Sequence, residues 1–237
     1  MKKINVLCTI CARGGSKGLK KKALKPIYGK PLISYTVRQA LKSKVFKEVV
    51  VSTDSKKIQK VAKKFGAKSW FLRPKKFAND KSAKLLAIKH AFIESEKFFN
   101  KKFDICVDLD ITSPLRNMND IKNSLDKFIK NKRCHNLISI CSAKKNPYYN
   151  MIEKNKDEYK MVRKKKNIFR RQDAPDVFEI NASIYIFRRY TLLKNYNLIN
   201  KKTITYLMPR NRSADIDGIY DFNFVKFSIK KNEKLFK

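Results

Sequence analysis

The 237-residue chain has 57 lysines and arginines against 20 aspartates and glutamates, and 43% of its residues are hydrophobic. That hydrophobic share excludes a disordered chain, and the length suits one α/β domain with a substantial core. No apolar run approaches the roughly 18 residues of a membrane span. Five cysteines, an odd number lying in or beside apolar runs, predict buried free thiols and argue against a disulfide framework.

The formal net charge of +37 raises the question of nucleic-acid binding. The lysines, however, are spread along the whole chain, mostly where a predicted helix would face solvent, and no homeodomain, zinc-finger or RRM pattern accompanies them. We therefore interpret the charge as a generally lysine-rich surface. A non-catalytic binder of nucleic acid or another polyanion remains the alternative from a different functional class.

Strand and helix signals alternate along the chain, which predicts an α/β fold with a mostly parallel sheet flanked by helices. The apolar start of the chain lacks a small-residue cleavage site, so we predict a first strand there and a cytoplasmic protein. The strand-like runs are 4–11, 48–53, 67–72, 103–111, 136–143, 180–189 and 203–208. The helix-like stretches are 31–43, 55–65, 81–98, 118–130 and 218–229.

Residues 145–178 break this rhythm with aromatic, charged and turn-forming residues that follow no clean period. We interpret them as a β-hairpin-like excursion from a single domain that spans 1–237.

The stretch "ARGGSKGLKKK" (12–22) directly follows the first predicted strand. Its glycines permit close approach of a ligand to the main chain, and its cations and N–H groups suit an anion. It matches neither the Walker A pattern nor the dinucleotide-binding pattern G-x-G-x-x-G. The stretch predicts a phosphate-binding loop, with a solvated basic turn as the alternative.

Polar residues follow other predicted strands, and in a parallel sheet the carboxyl ends of the strands share one edge. Asp54 ends the second strand, and Asp108 and Asp110 end the fourth. In "ADID", Asp215 and Asp217 are two residues apart, so an extended segment would turn both toward one ion. Carboxylates beside a polyphosphate suit Mg²⁺. Two solvated loop carboxylates are the alternative.

The motifs "ARGGSKG", "GKPLISYTV", "VVVSTD", "DITSPLR", "RRQDAP", "INASIYIF" and "ADIDGIYDF" occur in this order. Together they resemble the CMP–sialic acid synthetase (acylneuraminate cytidylyltransferase) family from about residue 4 to 230. The segments "DLDITSPLR" and "RRQDAPDVFEINASIYIF" are most similar to the branch that acts on legionaminic acid. The resemblance implies a Rossmann-like nucleotidyltransferase fold.

The resemblance also implies that a nonulosonic acid attacks CTP in the presence of Mg²⁺, giving CMP-sugar and pyrophosphate. It implies catalytic roles for Arg13, Lys17 and Asp217. The nucleotide-binding residues that it implies are Ala12, Arg13, Gly14, Gly15, Ser16, Lys17, Lys22, Arg73 and Asp80. The sugar-binding residues are Asp110, Arg171 and Asn181, and the metal ligands are Asp215 and Asp217. In such proteins the segment 145–178 packs into a partner subunit, which implies a homodimer.

Three departures from the family pattern bear on the substrate. Ala23 stands where many members have Asn, which removes one expected contact to the nucleotide. Asp110 and Glu179 stand where members acting on sialic acid have Gln and Arg, which argues against N-acetylneuraminic acid. The same chemistry on N-acetylneuraminic, pseudaminic or 3-deoxy-manno-octulosonic acid remains the alternative. Asp108 and Asp110 remain open between a metal role and a sugar role.

Overall fold

The structure is a computed structural model that describes residues 4–16, 18–78, 84–165, 168, 170–194 and 197–231. Its strands are β1 (Val6–Cys11), β2 (Pro26–Ile27), β3 (Lys30–Pro31), β4 (Glu48–Ser52), β5 (Ile105–Leu109), β6 (Asn136–Ser142), β7 (Ile152–Asn155), β8 (Glu158–Met161), β9 (Phe178–Arg188) and β10 (Thr203–Leu207). Its α-helices are α1 (Leu32–Ser43), α2 (Lys56–Lys64), α3 (Lys84–Phe98), α4 (Met118–Lys130), α5 (Arg189–Leu193) and α6 (Ile219–Lys231).

One central sheet has the strand order β10–β6–β9–β5–β1–β4. Strands β5, β1 and β4 run parallel, as do β6 and β10, whereas β9 is antiparallel to both of its neighbours. Helices α1, α2 and α4 contribute to the hydrophobic core on one face, and α3 and α5 to the core on the other. Because both faces are covered, β5 is buried along its whole length. The predicted fold class is confirmed.

The reversed direction of β9 decides which of its residues reach the functional edge. Since β9 opposes β6, its first residues, and not its last, lie beside the carboxyl end of β6, where Glu179 pairs with Cys141. The pairing with β6 shifts register between Ile138 and Ile140, and Ala182 has a φ of 53°. Such an irregularity redirects side chains, and it lies directly after Asn181.

The prediction of a strand at 67–72 is wrong. Only Lys68 forms a bridge, with Val50, at the edge of β4. The chain then turns away, and the ring of Trp70 stacks on Phe98 of α3 at a centroid distance of 4.0 Å. Packing of this aromatic side chain prevents the segment from continuing as a sheet strand.

Strands β7 and β8 form the hairpin expected within 145–178. Almost all of its residues are exposed, including Ile152 at 62% and Tyr159 at 65%. A two-stranded hairpin with exposed apolar side chains is only marginally stable by itself in water. This segment therefore has an apolar surface that the other described residues leave uncovered.

All five cysteines are free thiols, four of them buried and Cys11 half-buried, as predicted. Within the described ranges, no helix has the length and apolar character needed to cross a bilayer.

Candidate active site

A cleft of about 430 Å³ opens at the carboxyl ends of β1 and β5. Among the described residues, four cationic side chains line it, and their charges suit a ligand with several negative charges. These cations are Arg13, Lys22, Arg73 and Lys84. Other lining residues are Ala12, Ser16 and Gly18 after β1, Asp110 and Thr112 after β5, and Asp217.

The loop after β1 closely approaches two other segments. The N–H of Gly14 donates to Oδ1 of Asp54 at 2.7 Å, which ties the loop to the end of β4. At Gly18 a Cβ atom would lie 2.2 Å from the carbonyl oxygen of Asp217. Only glycine fits there, because real Cβ atoms do not approach a backbone oxygen so closely. The loop is therefore in direct contact with the segment that contains Asp217.

Lys22 strengthens the same contact. Its ammonium donates to the carbonyl oxygen of Ile216 and lies 3.7 Å from Oδ1 of Asp217. The side chain of Lys22 is 11% exposed, whereas that of Asp217 is 87% exposed. The carboxylate of Asp217 is thus accessible to a ligand in the cleft.

The remaining predicted nucleotide-binding residues are only partly described. Arg73 is 5% exposed and its backbone N–H donates to the carbonyl oxygen of Thr53 at 2.8 Å. Within the described residues, Nε of Arg73 has no hydrogen-bond partner. Lys17 and Asp80 lie outside the described residues, so the structure places neither of them.

Lys84 and Asp110 of the cleft wall form a compact group with Asp108, which is buried behind them. Nζ of Lys84 lies 2.6 Å from Oδ2 of Asp110 and 3.2 Å from Oδ2 of Asp108. Burial raises the pKa of Asp108, although Lys84 opposes this. Burial would also raise the pKa of Asp110, but Lys84 and hydrogen bonds from Thr112 outweigh it and hold this pKa below its usual value. Asp110 is therefore ionised at neutral pH.

A second cleft, of about 630 Å³, lies at the first residues of β9. Asn181 lines it and is 4% exposed. Its Oδ1 accepts from the hydroxyl of Ser139 at 2.6 Å, and its Nδ2 donates to Oγ of Ser213 at 2.9 Å. Asn181 thus joins β6 and β9 to the segment after β10, and only part of its amide remains for a ligand.

Arg171 does not line either cleft. It is exposed within the described part of the excursion. The guanidinium in the second cleft belongs to Arg210, which donates to the carbonyl oxygen of Ser142 at 2.6 Å and lies 3.5 Å from Oε2 of Glu179. Lys144 is a second cation there. Sequence reasoning did not identify Arg210, although its position five residues before Asp215 is a usable signal.

Asp215 and Asp217 are two residues apart and line different clefts. Asp215 lines the second cleft and Asp217 the first, while Ile216 between them is fully buried. Burial raises the pKa of Asp215, a hydrogen bond from Thr112 opposes this, and the charges of Asp110 and Asp217 raise it further. Oδ1 of Asp215 is buried without a hydrogen-bond partner among the described residues.

Arg212 holds the segment with these two aspartates in place. Its guanidinium donates to both carboxylate oxygens of Asp120, at 2.9 and 2.8 Å. Asp120 also caps α4, in a box with Asn117. The N–H of Ile216 donates to the carbonyl oxygen of Thr112 at 2.9 Å, which joins the segment to the loop after β5.

The donor set fits Mg²⁺ that arrives with a nucleotide. Among the described residues, no group of three or more His, Cys, Asp or Glu side chains is arranged to hold a metal ion. Mg²⁺, however, is usually bound by one or two carboxylates together with substrate phosphates. The unpartnered oxygen of Asp215 and the exposed carboxylate of Asp217 provide such a pair.

Residues 7–228 match the family model described as Cytidylyltransferase. The chain belongs to the cytidylyltransferase family. This cytidylyltransferase is 43% identical over 225 residues to the CMP-N,N'-diacetyllegionaminic acid synthase of Campylobacter jejuni, with 94% of each chain covered. It is 41% identical over 227 residues to the post-translational flagellin modification protein B of Campylobacter coli, with 95% of each covered.

The fold of this cytidylyltransferase also has solved counterparts. The CTP complex of CMP:2-keto-3-deoxy-manno-octonic acid synthetase is similar with a TM-score of 0.71. The match covers 96% of this chain and 99% of that one, at 18% sequence identity. The likeness concerns the fold alone.

Gly18→Ala tests the contact between the glycine loop and Asp217. We expect it to lower the free energy of unfolding in urea by about 2 kcal/mol or more, because the new Cβ would displace backbone. Gly15→Ala is the matched control, since a Cβ there meets nothing within 4 Å. Equal stability of the two variants would contradict the contact.

Proposed function

We propose that this cytidylyltransferase transfers CMP from CTP to a legionaminic-acid-like nonulosonic acid and releases pyrophosphate. The observation that carries the proposal is that Asp215 and Asp217, two residues apart, line two different clefts. One cleft has four cations suited to a triphosphate, and the other has polar groups of both signs suited to an acidic sugar. The names of the relatives supply the class of sugar.

In the proposed reaction, the anomeric hydroxyl oxygen bonds to the α-phosphorus of CTP. The bond from that phosphorus to the oxygen bridging to the β-phosphate breaks, the hydroxyl proton is released, and pyrophosphate leaves. Arg13, Lys17 and Lys22, with the N–H groups around Gly14 and Gly15, would neutralise the leaving group. Most of the catalysis would come from such positioning and charge stabilisation.

Asp215 and Asp217 would hold Mg²⁺ together with the phosphates. When bound there, the ion supplies positive charge to the phosphate oxygens. On the nucleotide side, Arg73 and Asp80 are proposed to contact the base end of CTP together with Ala12 and Ser16 of the loop.

On the sugar side, Asn181 is proposed as a hydrogen-bonding residue, with Glu179 restricting the substituents that fit. Asp110, also proposed to contact the sugar, lines the first cleft, so it would reach only the end of the sugar that enters there. A sugar carboxylate needs a cation, and within one chain Arg210 and Lys144 are the cations lining the second cleft. Arg171 is exposed on the excursion, so its proposed sugar contact depends on a second copy of the chain.

A homodimer is therefore part of the proposal. It is supported by the exposed Ile152 and Tyr159 of the hairpin, which burial against a second copy would remove from water. A cytoplasmic location is proposed from the five free thiols.

Pyrophosphate release with CTP and Mg²⁺ tests the function directly. The sugar panel is legionaminic, pseudaminic, N-acetylneuraminic and 3-deoxy-manno-octulosonic acid. We expect kcat/KM for legionaminic acid to exceed the others by about tenfold or more, because a site built on hydrogen bonds discriminates between polar substituents. A preference for another sugar would refute the substrate, and silence with all four would refute the proposal.

Asp217→Ala tests whether the exposed carboxylate of Asp217 takes part in the reaction. We expect kcat to fall by about a thousandfold with the melting temperature nearly unchanged, because the side chain is 87% exposed and its loss leaves no cavity. Asp126→Ala, an exposed aspartate on α4, is the control. A folded Asp217→Ala enzyme with wild-type turnover would remove Asp217 from the mechanism.

The dimer is tested by replacing Ile152 and Tyr159 with lysine. We expect the double variant to sediment as a monomer, because the substitutions place charge in an apolar contact, and to lose turnover if Arg171 acts across the interface. Lys154 and Lys160, on the same hairpin, provide a control pair through substitution by glutamine. A wild-type monomer in solution would contradict the dimer.

A further inference from the structure

Lys84, the first residue of α3, places its ammonium between Asp110, which lines the first cleft, and Asp108, which is buried behind it. Nζ is 2.6 Å from Oδ2 of Asp110 and 3.2 Å from Oδ2 of Asp108. It also lies 4.4 Å from the centroid of the Tyr185 ring, within the range of a cation–π contact. One ammonium thus bridges both aspartates.

The other two carboxylate oxygens are also satisfied. Oδ1 of Asp108 accepts from the hydroxyl of Thr9 at 2.8 Å. Oδ1 of Asp110 accepts from the N–H of Thr112 at 3.1 Å and from its hydroxyl at 3.0 Å. All four oxygens of the pair therefore have a donor or a cation within 3.2 Å. Oδ2 of Asp108 and Oδ1 of Asp215 are both buried without a hydrogen-bond partner among the described residues, but the Asp108 oxygen has the ammonium of Lys84 at 3.2 Å.

The charges explain why this arrangement needs a cation. Asp108 is fully buried, and two carboxylates this close repel each other unless a positive charge lies between them. Burial would lower the pKa of Lys84, but the carboxylates of Asp110 and Asp108 raise it above its ordinary value. The ammonium therefore stays charged at any pH at which the enzyme works.

We propose that Lys84 is a positioning residue that serves as the internal counter-ion of Asp108 and Asp110, and so leaves Asp215 and Asp217 as the metal-binding carboxylates. Asp110 is then a fixed hydrogen-bond acceptor for substrate, not a metal ligand. The inference rests on the proposed metal site, and it assigns the two aspartates whose role the sequence leaves open.

The test is titration of the substrate-free protein with Mn²⁺ alone, with free Mn²⁺ measured by electron paramagnetic resonance and bound Mn²⁺ by water-proton relaxation. Lys84→Met should gain about one bound Mn²⁺ per chain, because it frees two carboxylates without removing side-chain volume. Lys84→Met combined with Asp110→Asn should lose that site again, and Lys84→Arg should bind Mn²⁺ as the wild type does. Lys97→Met on the same helix, whose partner Glu94 is at the surface, should change nothing.

A second comparison does not depend on the folding of the Lys84 variants. In the otherwise wild-type chain saturated with CTP, which supplies the phosphate ligands of the proposed site, Asp110→Asn should leave the Mn²⁺ affinity within about twofold, whereas Asp215→Asn should weaken it about tenfold. An Asp110→Asn effect equal to that of Asp215→Asn, or a folded Lys84→Met variant without an added site, would overturn the proposal. Failure of the proposed metal site would look different, since Asp215→Asn and Asp217→Asn would then leave Mn²⁺ binding unchanged.

Discussion

The guanidinium of Arg116 is fully buried and joins the loop after β5 to two other elements. It donates to the carbonyl oxygen of Ser183 on β9 at 2.7 Å and to Oε1 of Gln39 on α1 at 3.2 Å. Gln39 in turn donates to the carbonyl oxygens of Pro114 and Arg116 at 2.7 and 2.6 Å. Burial lowers the pKa of Arg116 to about 10, which leaves it charged at neutral pH. A buried charge without such partners would be strongly destabilising, so these contacts and the loop form together.

The position of this loop sets the position of both clefts. Thr112 of the loop donates to Asp110 and accepts, through its carbonyl oxygen, the N–H of Ile216. The segment with Asp215 and Asp217 is thereby placed against the end of β5, and Arg212 anchors it to Asp120 from the other side. The segment with Asp215 and Asp217 is thus irregular, and regular elements, β5 and α4, hold it from two sides. Such sites retain their geometry when a ligand binds.

The charges in the first cleft are arranged differently from those on the protein surface. The net charge of +37 is a property of the surface, whereas the described lining of the first cleft combines four cations with the two carboxylates of Asp110 and Asp217. Lys22 and Lys84 are each paired with aspartates there, and Lys84 contacts two. Pairing of this kind holds cations in defined positions and offsets the repulsion that the carboxylates would exert on a triphosphate. Surface lysines, screened by salt, contribute little to that arrangement.

Local sequence signals predicted all six strands of the central sheet, five of the six α-helices of the described residues, the glycine loop after β1 and the aspartates at strand ends, but not α5 or the β2–β3 pair. Each of these predicted features is local, because hydrophobic periodicity, turn residues and motif order depend on neighbouring residues. The bounds predicted for α4, 118–130, are the observed ones. Three features appear only in the folded chain. They are the pairing of Lys84 with Asp108 and Asp110, the burial of Arg116, and the presence of Arg210 in the second cleft. The tertiary structure also sets the direction of β9, which brings Glu179 and Asn181 to the active edge. It likewise sets the departure of 67–72 from the sheet. Each depends on contacts between residues far apart in the chain, and the spacing of residues along one segment contains no information about such contacts.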